Sequence, residues 1–125
     1  MKKYSTLSFL FFLIIVMVGC SSPNIESVES LNFPIMENMT LESTYESTVD
    51  DSIVEVSTYI VENGSLNSFL FEYEKYLNEN NWLTSRDLKP NGLIVEKNNK
   101  SVTILAYEEE DKLMVDIIPT PEIKE

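Results

Sequence analysis

The sequence predicts an α+β domain: two layers, with an antiparallel sheet in ββαββββ order and one amphipathic helix on one face. Three observations predict it. Apolar residues recur at a period of two before and after the middle of the chain, the signature of half-buried strands. Between these runs, Leu66, Phe69, Leu70, Tyr73, Tyr76 and Leu77 recur at helical spacing. Short polar turns separate the runs, and one helix covers only one face of an antiparallel sheet.

The chain opens on Lys2 and Lys3, followed by uninterrupted apolar residues from Phe9 to Val18, then Gly19 and Cys20. A cationic start, an apolar stretch and a small residue before the cut form a secretory signal peptide. The apolar run is shorter than the ~20 residues that a membrane-spanning helix needs. Met17-Val18-Gly19-Cys20 resembles the lipobox of bacterial lipoproteins, with Met17 in place of the usual Leu. That resemblance implies attachment of diacylglycerol to the Cys20 thiol, removal of residues 1–19, and Cys20 as the first residue of the mature protein. The expected address is the cell membrane or an outer membrane, facing away from the cytoplasm.

Residues 20–39 read as the lipidated cysteine and a flexible tether. Ser21-Ser22-Pro23-Asn24 opens it, acidic residues follow, and Leu31, Phe33, Pro34 and Ile35 clip its end to a domain spanning residues 40–118.

In that domain, Leu41, Ser43, Tyr45, Ser47 and Val49 alternate with polar residues as a strand, and Asp50-Asp51-Ser52 turns it back. The β-branched run Ile53 to Val61 completes a hairpin, with Val54, Val56 and Ile60 on one face and Glu55, Ser57 and Tyr59 on the other. Asn63-Gly64-Ser65 breaks the run, and Ser65 reads as the N-cap of a helix from Leu66 to about Asn80. Asn80-Asn81 stops this helix, and Trp82 folds back onto the end of its stripe. Phe71 falls on the polar side. Trp82 to Leu88 is the next strand, with Asn91-Gly92 as the hairpin turn after it. Leu93 to Lys97, Val102 to Tyr107 and Leu113 to Ile118 complete the sheet, and residues 119–125 read as a frayed tail after Pro119. This pattern over residues 31–118, with Phe33-Pro34 and Asn81-Trp82, also resembles small bacterial lipoprotein domains, many of them without an assigned role.

Composition narrows the function. Without Lys2 and Lys3 the mature chain carries 7 Lys+Arg against 21 Asp+Glu, a net of −14. Such a surface repels nucleic acid and anionic headgroups, so the lipid must hold the membrane. There is no histidine, and Cys20 is the lone cysteine. Ser/His and Cys/His mechanisms are therefore unavailable, and the expectation is no enzyme, no metal and no cofactor. Glu108-Glu109-Glu110-Asp111 and Asp50-Asp51 lack the spacing of a calcium loop and read as solvated turns. The sequons at Asn38, Asn63 and Asn99 read as turn chemistry.

If Val95, Val102, Ile104, Val115 and Ile117 pack under the helix, alternation turns Tyr59, Ile94, Leu105, Tyr107 and Met114 to the opposite face. Tyr59, Leu105, Tyr107 and Met114, with Phe71 on the helix, are the candidate contact residues for another envelope protein. The alternative is a small-ligand carrier in which the same face curls around an apolar or cationic molecule.

Overall fold

A computed structural model describes residues 25–120. The expected signal peptide, residues 1–19, and Cys20 lie outside the described residues. Six antiparallel strands and one helix follow the expected ββαββββ order. The strands are β1 (Met39–Val49), β2 (Ser52–Val61), β3 (Leu83–Leu88), β4 (Gly92–Lys97), β5 (Lys100–Glu109) and β6 (Lys112–Thr120), and the helix α1 is Phe69–Glu79. They form one sheet of order β1-β2-β6-β5-β4-β3. The chain leaves β2, passes through α1 to the far edge, and returns by a β3–β6 meander that closes against β2.

Three of the connections are two-residue hairpins with both residues at positive φ: Asp50-Asp51, Asn98-Asn99 and Glu110-Asp111. Asn and Asp tolerate that region, whose twist matches the flanking strands. Asp50-Asp51 is thus a turn as expected, whereas only Glu110-Asp111 of the second acidic cluster turns, Glu108 and Glu109 belonging to β5 and pairing with Leu113 and Lys112. The Asn91-Gly92 turn needs correcting. Gly92 pairs with Leu88 as the first residue of β4, and the reversal is made by Lys89-Pro90-Asn91, with the Lys89–Pro90 peptide cis. Ala106 N–H donates to Asn91 O at 2.8 Å, which ties the end of this turn to β5.

The helix starts later than Ser65 suggests. Ser68 is its N-cap, and Ser65 instead takes the Ser68 and Phe69 amides on its carbonyl oxygen. Its end is as expected and is built on Asn81, at φ 69°. Trp82 N–H reaches Leu77 O at 2.9 Å and Asn81 N–H reaches Asn78 O at 3.1 Å, the paired bonds of a Schellman motif. Trp82 is buried against the core with Leu77. Asn81→Val forces a β-branched residue into the left-handed region, so it should destabilise the domain by about 1–2 kcal/mol while Asn81→Gly does not. Urea denaturation of the two variants checks this.

Phe69, Leu70, Tyr73 and Leu77 of α1 share one core with Leu93 and Val95, Val102 and Ile104, and Val115 and Ile117, each essentially without exposure. The five sheet residues expected beneath the helix are all there. On β2 the expected faces are exchanged. Tyr59 pairs with Val115 and Val61 with Leu113, so these two join the core, whereas Val54 and Val56 are buried outside it on the opposite alternation. The run is apolar at both alternations, so periodicity could not orient it.

Two boundaries also move. Residues 25–38, expected as tether, are packed. Glu26 bridges Val54, with Glu55 N–H donating to Glu26 O at 3.0 Å. Ser27 to Phe33 forms one tight turn that ends at Asn32, φ 50°, through Phe33 N–H to Val28 O at 3.0 Å. It delivers Val28 and Phe33 to the core, Phe33 lying edge-on to Trp82 at 4.8 Å and to Tyr73 at 6.4 Å. Tyr73 OH donates to Pro34 O at 2.7 Å, and burial pushes its pKa well above the ordinary tyrosine value. At the other end, Pro119 and Thr120 belong to β6, paired with Val102 and Ser101. Pro119 is accommodated because β2 leaves β6 after the Ser57–Ile117 pair, so the missing N–H falls where no strand needs it.

Candidate functional site

The face of the sheet opposite α1 is set by the register of its three central strands. Thr58 of β2 pairs with Asp116 of β6, and Asp116 with Leu105 of β5. In the adjoining row Ile60 pairs with Met114 and Met114 with Tyr107. Asp116 is the one charged residue in the apolar run Leu113 to Pro119, and it sits in the middle of the face.

Its carboxylate is anchored by two hydroxyls. Thr58 Oγ1 donates to Asp116 Oδ1 at 2.8 Å and Tyr107 OH donates to the same oxygen at 3.0 Å. Oδ2 receives no hydrogen bond from the described residues, so the cluster presents an oriented acceptor. Burial, then the bond to Asp116, pushes the Tyr107 phenol up to about 12, with nearby Glu109 and Tyr45 adding to it. Tyr107 therefore stays protonated and serves as a donor, not as a base or nucleophile. Because the folded value lies above the ordinary one near 10, Tyr107 supports folding fully below pH 10 and loses that support as pH rises towards 12. Ultraviolet titration near 295 nm should show one late-titrating phenolate fewer in Tyr107→Phe, with those of Tyr59 and Tyr73 still late in both proteins.

The five candidate contact residues separate. Leu105, Tyr107 and Met114 meet around Asp116, with Leu105 39% exposed, Tyr107 half-buried and Met114 buried. Tyr59 does not belong there. It is buried in the core on the other face, and burial followed by the charges of Glu29 and Glu55 raises its pKa. Phe71 is exposed on α1, far along the chain from the cluster, with Lys89 Nζ 5.1 Å from its ring centroid. Lys89 also pairs with Glu74 at 2.8 Å and Asp87 at 2.7 Å, and Thr84 Oγ1 donates to Glu74 at 2.6 Å. Phe71 thus packs on a clamp between α1 and the β3–β4 hairpin. The bond from Lys89 holds the Asp87 carboxyl below its usual range, and the same bond, with that to Glu74, raises Lys89.

Thr58 and Asp116 were not anticipated, although a lone acid inside a central apolar strand was a visible signal. Tyr45, on the more apolar alternation of β1, is 52% exposed. A recess of about 550 Å³ lies at the β3 edge, lined by Asn81, Leu83, Thr84, Glu96, Lys97, Asn98 and Asn99. None of the candidate contact residues lines it. Among the described residues no group of three or more acids, His or Cys is placed to hold a metal ion, and no helix is long and apolar enough to cross a membrane. No known family model, curated protein or solved structure matches the chain.

Proposed function

We propose that this chain is a lipid-anchored cell-envelope protein whose two-layer α+β domain is a noncatalytic protein-interaction module. Lipid on Cys20 supplies the membrane contact, and the face carrying Leu105, Tyr107 and Asp116 supplies the contact to another envelope protein. The observation that carries this reading is the oriented carboxylate of Asp116 among apolar neighbours, held by Thr58 and Tyr107 on one oxygen. A polar group so fixed, beside an exposed leucine, gives a partner both an apolar surface and one directional bond. The cluster brings no second catalytic group to the Asp116 carboxylate beyond two hydroxyls that both donate to it, which favours recognition over catalysis.

Photo-crosslinking in intact cells tests it, with the probe at Tyr107 and, as control, at Glu72 on the exposed side of α1. A discrete protein adduct at position 107 and none at 72 is the expected result. Absence of a protein adduct at 107 would refute the module and return attention to the carrier reading, for which extracts would be searched for a bound small molecule.

A further inference from the structure

We infer that the edge of β1, unpaired among the described residues, is where the partner attaches, by adding a cationic extended segment as a seventh strand. This rests on the interaction-module reading and goes beyond it by naming the edge and the chemistry of its occupant.

β1 is the outermost strand of the sheet, and apart from Met39 its residues are exposed or half-buried. From Ser43 to Val49 its register with β2 runs unbroken, leaving seven residues of regular edge. Natural sheets blunt such edges with Lys, Pro, bulges or short length. β1 has no Lys and no Pro, and its single bulge, between Leu41 and Ser43, lies at one end. The opposite edge is defended. β3 has six residues, is broken by a bulge between Thr84 and Arg86, and ends on the Lys89 clamp.

Charge selects the occupant. The β1–β2 hairpin carries Glu42, Glu46, Asp50, Asp51 and Glu55 and no cation. There is no Lys or Arg anywhere between Lys3 and Lys75. A second copy pairing through β1 would bring two such hairpins together, like charge on like charge, whereas a strand bearing Lys or Arg relieves it. Ladder hydrogen bonds would give affinity, and side chains on the Tyr45 alternation would continue the face that holds Tyr107 and Asp116.

The probe is a synthetic ten-residue peptide alternating Lys with Thr, compared with its Glu-for-Lys counterpart, on isotope-labelled full chain. The Lys peptide should shift the amides of Ser43 to Val49 and slow their exchange, while the Glu peptide does neither. Affinity should fall about tenfold or more in the double variant Glu42→Lys, Glu46→Lys, and likewise between low and high salt. No response in Ser43 to Val49 at millimolar peptide, an equal response to both peptides, or a response centred on another element would overturn the proposal. So would protection of these amides that grows with protein concentration alone, the sign of self-pairing. A cellular photo-probe at Thr44 separates the two readings. An adduct at Tyr107 without one at Thr44 overturns the edge and spares the module, and adducts at both support the edge.

Discussion

Phe33→Ala should lower the stability of the domain by about 3–5 kcal/mol, the range for removing a buried aromatic side chain. Phe33 is 5% exposed and touches two aromatic rings edge-on, one on α1 and one just past its end. Its loss therefore leaves a cavity against Tyr73 and Trp82, and both rings also lose their geometry. That cost compares with a whole stability of roughly 5–15 kcal/mol for a domain of this size. Urea denaturation followed by tryptophan fluorescence reads it directly, since Trp82 is the lone tryptophan. A chain cut to begin at residue 40 should fail in the same way, whereas one beginning at residue 25 should keep the midpoint of the full chain. A Phe33→Ala midpoint within error of the parent would show that residues 25–38 do not belong to the folded unit.

That result would bear on how the sequence is read. The order of elements was legible because helix and strand periods differ, and because Asp50-Asp51, Asn98-Asn99 and Asn81 mark turns by tolerating positive φ. The central strands were legible because short apolar, β-branched runs around Val95, Val102, Ile104, Val115 and Ile117 are bounded by polar turns such as Asn98-Asn99 and Glu110-Asp111. Residues 25–38 were not legible as structure. Val28 and Phe33 are too sparse to show a period, and what fixes them is a tight turn of Ser27, Ser30 and Asn32 plus a groove made by residues forty positions later. The orientation of β2 was lost for a different reason. Val54, Val56 and Ile60 compete with Tyr59 and Val61, and pairing with Val115 and Leu113 decides between them. The candidate site suffers from that choice. With Tyr59 turned inward, Leu105 and Tyr107 remain as anticipated, and the carboxylate at their centre becomes visible only through Thr58, on a strand 58 residues away in sequence.

Cys20→Ser should release the protein from the membrane almost completely, and the packed segment sets what that release means. On the proposed anchor, two acyl chains on one thiol hold stably, whereas a single chain binds only marginally, at about 10⁴ M⁻¹. The acidic surface offers the bilayer no second attachment. Fractionation should therefore move the Cys20→Ser variant from the membrane to the soluble pool with loss of lipid mass, and unchanged partitioning would defeat the lipoprotein reading. Because Glu26 is already bridged to Val54 of β2, only five residues, 21–25, separate the proposed anchor from that bridge. Five extended residues reach about 17 Å at most, so the proposed anchor would keep the domain close to the headgroups, and the proposed partner would be met at that height. A Gly/Ser insertion of about twenty residues after Asn24 should leave partitioning intact yet weaken the Tyr107 adduct if the partner's contact is itself fixed near the bilayer, because a longer linker lowers the effective concentration. An undiminished adduct would place that contact on a partner free to follow the domain outward.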